Sequence, residues 1–378
     1  MVKTTYFIEP VDVLHFRGNR LFGDPGSFSD AVMPPWPSTF AGAIRSEMLV
    51  RDGINLECFA KGQQPHPLLG TPSEPGEFRL LECGLARRLG DSVIERYYPL
   101  PADLVMSASD AGPTMQRITP KAIDERIQLS AKTSKLPVLA ESLRSKPVSG
   151  WFLRESGWQK YLQGQLPCAE ADIIHQEHLW SLDLRVGVGL DTRQRTAADG
   201  QLFTNQVVCL KPSVGFYVTT SHAGLPNSGV IRLGGDGRAA HYDKVETSDL
   251  GITLADAKLG RRCRFVLTTP GIFTGGWLPN GVTHAEDQTL TLHIDDISAS
   301  VVAACVSKPQ VVSGWDIATK SPKVAVKCAP AGSVFWLENL NAGERGLGKL
   351  AELGLWPKGS EDNQRRAEGF NQLAIGVF

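Results

Sequence analysis

Arginines recur beside glycine-rich turns in this chain: Arg17 and Arg20 in HFRGNRLFG, Arg193 and Arg195 in GLDTRQRTAADG, Arg232 and Arg238 around GGDG. A guanidinium offers a planar fork of donors that matches phosphate oxygens, and a residue without Cβ lets backbone N–H groups approach a bound group. Together they suit a ribose-phosphate chain, although the same composition also serves ordinary loop solubility. A second store of positive charge runs from Gln116 to Lys146. There Arg117, Lys121, Arg126, Lys132, Lys135, Arg144 and Lys146 face only Asp124, Glu125 and Glu141. Such a run is also what a solvated face looks like.

Catalytic patterns fit poorly. GVGLDT at 187–192 has two glycines of a dinucleotide fingerprint but Thr192 in place of the third, with no crossover helix beside it. GERGLGKL at 343–350 follows the strand-like GSVFWLE and matches GxxxxGK, yet Leu350 stands where a hydroxyl should hold magnesium. No GxSxG elbow is present. The seven cysteines form no CxxC pair and read as buried free thiols. His175 and His178 could share a helical face, but without a third ligand they read as surface histidines. Neither a metal nor another cofactor is expected. One alternative stays open: His15, beside Arg17 at the end of the first strand, is placed to act as general base in metal-independent RNA cleavage.

The elements that position these residues follow from local pattern. TTYFIEPVDVLHF reads as a strand, and a Gly- and Pro-dense loop follows it. Ser38 is the expected cap of a helix whose Phe40, Ala41, Ile44, Met48 and Leu49 share one face, and Asp52-Gly53 ends it. FRLLECGLA and VIERYYPL read as further strands. Residues 107 to 175 are polar, basic and weakly periodic, which suits an insertion or mobile lobe. From Trp180 short strand candidates (WSLDLRVGVGLD, LFTNQVVCLK, VGFYVTT, GVIRL and later ones) alternate with turns, so this half is mostly antiparallel β, with no long amphipathic helix.

A length of 378 residues predicts two domains, placed at 1–178, with a basic insertion near 107–175, and at 179–378. The net charge of −1 excludes a global field drawing the chain to polyanions, so any such site is local. No stretch approaches the roughly 20 apolar residues that cross a bilayer, and MVKTTYFIEPVDVLHF lacks a signal-peptide core, so a cytoplasmic location without membrane contact is expected.

The run EPVDVLHFRGNRLFG followed by MPPWPSTFAGAIRSEML, then YYPLPADLV, LRVGVGLDTRQRTAADGQLFT (184–204), IRLGGDGRAAHYDKV (231–245) and PQVVSGWDIATKSPKVAVKCAPAGSVFWLE (309–338), is distinctive. In this order it resembles the third Cmr subunit family of type III-B CRISPR effector complexes, in the group-five-like branch of the RAMP superfamily. The resemblance implies an α+β fold of two ferredoxin-like (RRM-like) modules with insertions. It also implies a non-catalytic subunit at the foot of the complex that holds the 5′ tag of the CRISPR RNA. Its protein partners would be the large polymerase-like subunit and neighbouring backbone subunits, with catalysis belonging to neighbours. The superfamily's glycine-rich loop corresponds to Gly234, Gly235 and Gly237 with Arg238. GVGLDTRQRT would lie on a hairpin near the RNA, and the helix opening at Ser38 and Thr39 would face the loop after the first strand. The expected RNA-binding set is then Arg17, Arg20, Ser38, Thr39, Arg45, Lys132, Lys135, Arg193, Arg195, Gly234, Gly235, Gly237 and Arg238.

Overall fold

The computed structural model describes residues 3–18, 28–109, 112–124, 126–127, 132–140, 146–191, 193–194, 196–247, 261–284, 289–316, 319, 321–342, 344–359 and 362–378. It is α+β, and most of its strands are antiparallel. Two compact units emerge, neither continuous in sequence: Met1–Ile94, Gln176–Glu246 and Val312–Ala325 form one, and Glu95–His175, Thr247–Val311 and Val326–Phe378 form the other. The expectation of a boundary after residue 178 treats each half as self-contained. In the structure, strands from residues 214–245 pair with the strand at 4–10 instead.

In the first unit, strand Thr4–Pro10 lies between Val214–Thr220 and Ala239–Val245. Leu80–Arg88 flanks the former and Ser228–Arg232 the latter, every neighbouring pair antiparallel. A strand paired on both edges and buried for its first five residues needs apolar or self-satisfying side chains. Thr5 meets the Thr219 hydroxyl at 2.9 Å, and the Tyr6 hydroxyl donates to the Leu225 carbonyl at 2.8 Å. The helix Pro37–Arg51 buries Phe40, Ala41, Ala43, Ile44, Met48 and Leu49. Its cap residue is Trp36, without a side-chain hydrogen bond, not the expected Ser38. Pro37 explains the shift: its fixed φ starts the helix two residues earlier, where its missing N–H costs nothing. Asp52 and the left-handed Gly53 end it as expected.

The second unit contains the antiparallel order Val282–His284, Leu290–Ile294, Ile297–Cys305, Val334–Asn341, Arg262–Leu267, Leu373–Gly376. Phe265, Leu292, Val301, Phe335 and Leu337 fill one face of it together with Leu347 and Leu350 from the helix Glu344–Leu353. That helix contains ERGLGKL, so the GxxxxGK match is not a phosphate loop; the two glycines hid a helix that Leu347 and Leu350 anchor one turn apart. The expected polar lobe at 107–175 also needs correction. Leu104–Ser109 pairs with Gly112–Arg117 and Thr119–Ala122 with Lys135–Val138, and Leu104 and Met106 of the first pair share a core with Leu153, Trp158, Tyr161, Leu162 and Ile173. There Trp158 stacks on Tyr98 at 4.5 Å, and buried Asp103 accepts the Tyr161 hydroxyl at 2.7 Å while pairing with buried Arg264 at 3.3 Å. The basic residues upstream dominate the composition of the window and mask these short apolar clusters.

Candidate nucleic-acid interface

The glycine turn is built by long-range contacts. Ser228–Arg232 and Ala239–Val245 form a hairpin, closed where the Leu233 N–H donates to the Arg238 carbonyl at 2.8 Å. The turn folds back onto the segment leaving the first strand: the Gly235 N–H donates to the His15 carbonyl at 2.8 Å, and the Val11 N–H to the Ala239 carbonyl at 3.0 Å. Gly234 has φ +78°, and a Cβ there would lie 2.5 Å from the His15 carbonyl oxygen. Glycine is required at that position both by backbone conformation and by space. Gly237, at φ +63°, faces open space, and Asp236 at the tip also has positive φ. Residues 14–18 are pinned from the other side. Leu14 exchanges backbone hydrogen bonds with Val208 at 2.9 Å, and the Gly18 N–H donates to the Asp30 carbonyl at 3.2 Å.

These contacts gather charge. Asp236 lies 3.7 Å from His15 Nε2 and 3.9 Å from Arg17, while Arg238 pairs with Asp12 at 3.3 Å. Arg17 keeps 46% of its side chain exposed and Arg238 32%, so both guanidinium groups reach solvent. His15 is only 3% exposed. Burial pushes its imidazole below the ordinary value; Asp236 opposes that shift, and Arg17, Arg238 and Arg185 add to it. The imidazole is therefore held neutral near pH 7, and its Nδ1 is buried without a hydrogen-bond partner among the described residues.

Of the expected set, the fold brings Arg17, Gly234, Gly235, Gly237 and Arg238 together. The Gly235 amide is already engaged by His15, so it serves the turn and not a bound phosphate. Ser38 and Thr39 open their helix near the same place: Phe16 and Phe40, neighbours of Arg17 and Thr39, both pack on Phe216, at 5.9 and 5.2 Å between ring centres. Arg45 is half-buried in mid-helix. Arg193 is exposed at the tip of the long hairpin Trp180–Leu190/Ala197–Leu210, where its N–H and that of Gln194 are bound by the Asp191 carboxylate at 2.7 and 3.1 Å. Lys132 and Lys135 belong to the other unit, and Lys135 is committed to Glu338 at 2.7 Å. Arg20 and Arg195 lie outside the described residues.

Sequence reading missed Asp12, Asp236 and Arg185. The two acids were overlooked because each meets its arginine only through pairing some 220 residues distant in sequence, shown by the 226-residue separation of Arg238 and Asp12. The alternation of LDLRV would have placed Arg185 on one side of a strand, but nothing local says which side. Other chemistry is thin. His175 packs on Trp151 at 4.9 Å, and His178 is exposed beside Glu177, so they share no helical face. Among the described residues no group of three His, Cys, Asp or Glu could hold a metal ion. All seven cysteines are free, but only Cys263 and Cys328 are buried, and Cys168 is exposed.

The model of the family described as CRISPR-associated protein (Cas_Cmr3) matches residues 6–378. No curated protein matches this sequence. Among solved structures, a chain of the type III-B Cmr-beta complex bound to cognate target RNA and AMPPnP is 14% identical, with a TM-score of 0.49 and 99% of each chain covered. A chain of Cmr-beta bound to cognate target RNA is 13% identical at TM-score 0.49, covering 98% of this chain and 96% of that one.

Proposed function

Since the chain belongs to the Cas_Cmr3 family, the third Cmr subunit of type III-B CRISPR effector complexes, we propose that it holds the 5′ tag of the CRISPR RNA without catalysing a reaction itself. In this reading the tag crosses the surface formed by the turn Leu233–Arg238 and the segment His15–Gly18. Other surfaces dock the large polymerase-like subunit and the neighbouring backbone subunits, in the cytoplasm. The observation that carries it is the convergence of Arg17 and Arg238, both solvent-facing, on a glycine turn locked to the His15 carbonyl. A rigid turn edged by guanidinium groups offers phosphate contacts and stacking faces for a single strand at little ordering cost. A net charge of −1 is compatible, because the positive charge is local.

The modular reading of the fold has its own support. In the first unit the strands at 4–10, 80–88, 214–220 and 239–245 stand in the spatial order second, third, first, fourth. In the second unit 262–267, 297–305, 334–341 and 373–376 stand in the same order. Each fits a split β-α-β ferredoxin-like module in which one crossover keeps its helix, Pro37–Arg51 in the first and Glu344–Leu353 in the second. The other crossover has no helix among the described residues.

His15 does not suit the endoribonuclease alternative. At 3% exposure its ring is shielded from a ribose hydroxyl, and the Nε2 edge faces Asp236. A general base must reach the proton it removes.

Binding of tag RNA to the full chain, measured by fluorescence anisotropy over a salt series, tests the proposal. Arg17→Gln/Arg238→Gln is expected to flatten the slope of log K against log salt by roughly 1.4, at about 0.7 per lost single-strand contact. An unchanged slope removes the assignment. Metal-independent cleavage of repeat RNA by the wild type, lost in His15→Ala, would overturn the non-catalytic reading.

A further inference from the structure

The long hairpin has two unlike faces. Along the outer strand Trp180–Leu190, the side chains of Leu182, Leu184, Val186, Val188 and Leu190 alternate with Asp183, Arg185, Gly187 and Gly189. On the second face the hairpin covers itself. A Cβ at Gly187 would lie 2.3 Å from the Phe203 ring, and one at Gly189 would meet the Gln201 side chain, so both cross-strand side chains lie flat over the glycines. Along the outer strand the aliphatic face has no such cover, whereas on the inner strand Val208 is buried and the Gln206 side chain accepts the Ala31 N–H at 3.1 Å. Leu182, Leu184, Val186, Val188 and Leu190 are 46, 60, 66, 41 and 63% exposed, and Leu202 opposite Val188 is 57% exposed. From Leu182 to Leu190 this stripe is about 26 Å long, at roughly 3.3 Å per residue.

A contiguous aliphatic stripe exposed along a strand marks an interaction site. Its chemistry selects the occupant. The cross-strand partners sharing the face are Val208, Gln206, Thr204, Leu202 and Ala197, so none of its described residues is ionisable. A nucleic-acid strand needs cations for its phosphates and aromatic or guanidinium planes for its bases; this face has neither. Charge complementarity therefore points to an uncharged, apolar protein surface. The strand is also the outermost of its sheet, ordered Trp180–Leu190, Ala197–Leu210, Phe28–Ser29, and beyond the buried Trp180 a partner can approach it from Leu182 to Leu190.

We propose that the aliphatic face of strand Trp180–Leu190 is a protein-docking surface, covered in the assembled complex by the apolar surface of a neighbouring Cmr subunit. The inference rests on the reading of this chain as a subunit of such a complex. It assigns the hairpin a protein contact on one face, distinct from the RNA contact expected near Arg193 at its tip.

The test uses Leu184→Thr/Val186→Thr/Leu190→Thr, which keeps strand-favouring residues and changes only exposed positions. The purified large subunit and the first backbone subunit are titrated separately against wild type and variant. The expected result is an affinity for one of them reduced at least about tenfold, as truncating the centre of an interface does, with the melting curve and tag-RNA affinity of the isolated chain unchanged. Wild-type affinity of the variant for both subunits overturns the proposal. So does a loss confined to tag-RNA affinity, which would assign the face to RNA, and so does concentration-dependent self-association abolished by the variant, which would assign it to a second copy. Failure of the RNA-holding proposal appears separately, as absent tag binding by the wild type.

Discussion

Alanine substitutions along the glycine turn are expected to rank sharply, because the three positions differ in backbone and in space. At Gly234, φ is +78° and the new Cβ would sit 2.5 Å from the His15 carbonyl oxygen, with the Phe16 ring at 3.1 Å. The left-handed conformation alone costs a non-glycine residue about 1 kcal/mol or more. The contact with a backbone atom cannot be relieved by a rotamer change, so the turn must lift off residues 15–16. Together these give about 2–4 kcal/mol. At Gly237, φ is +63° but no atom lies within 4 Å, which leaves only the conformational cost of about 1 kcal/mol. At Gly235 the nearest atoms are His15 Cβ at 3.5 Å and its carbonyl oxygen at 3.6 Å, ordinary contacts, so the change should stay within about 0.5 kcal/mol. Urea unfolding followed by tryptophan fluorescence gives the order of midpoints. Tag-RNA affinity gives a local readout, since lifting the turn displaces Arg238. The order Gly235→Ala, Gly237→Ala, Gly234→Ala from mildest to most severe is expected in both. If Gly235→Ala proves as damaging as Gly234→Ala, the turn geometry argued above is wrong.

Three further outcomes follow from other parts of the structure. Burial holds the folded His15 pKa below the free value of 6.5, so the unfolded chain takes up a proton first as pH falls. The neutral-histidine contribution is full above about pH 6.5 and is lost on acidification below it; unfolding midpoints at pH 7.5 and 5.5 should differ less in His15→Gln than in wild type, and an equal difference would exclude a role for this imidazole. Trp158→Ala should destabilise by about 3–5 kcal/mol, because Trp158 is 3% exposed and stacked on Tyr98; a midpoint near that of wild type would restore the picture of a mobile lobe. Lys135→Met should leave the salt slope of tag binding unchanged, since its ammonium is held by Glu338 in the second unit; a slope reduced by about 0.7 would return Lys135 to the RNA contacts.

Local chemistry was legible where a single residue type dictates it. The glycines of GGDG signalled close backbone approach, and the structure puts a carbonyl where the Gly234 Cβ would be. Phe40, Ala41, Ile44, Met48 and Leu49 announced the buried helix face correctly, while Pro37 outranked Ser38 at its start. Pairing between distant segments was not legible: nothing local in VGFYVTT or AAHYDKV says that both flank TTYFIEP. The same gap hid Asp12 and Asp236, which temper Arg238 and Arg17. Alternation in LDLRVGVGL correctly gave a strand, whose aliphatic side chains are exposed in the isolated chain. Periodicity reports what a segment can bury without naming the molecule that buries it. Glycines in ERGLGKL likewise concealed a helix whose two buried leucines carry the signal.

The central claim is that CRISPR RNA lies against the locked glycine turn and the segment beneath it. Photo-crosslinking of CRISPR RNA carrying 4-thiouridine in its 5′ tag, within the assembled complex and mapped by mass spectrometry, reads that contact at peptide level. Crosslinks to peptides containing Arg17 and Gly234–Arg238 are expected. Tag crosslinks confined to the second unit, for example around Lys132 and Lys135, with none at the turn, would contradict it.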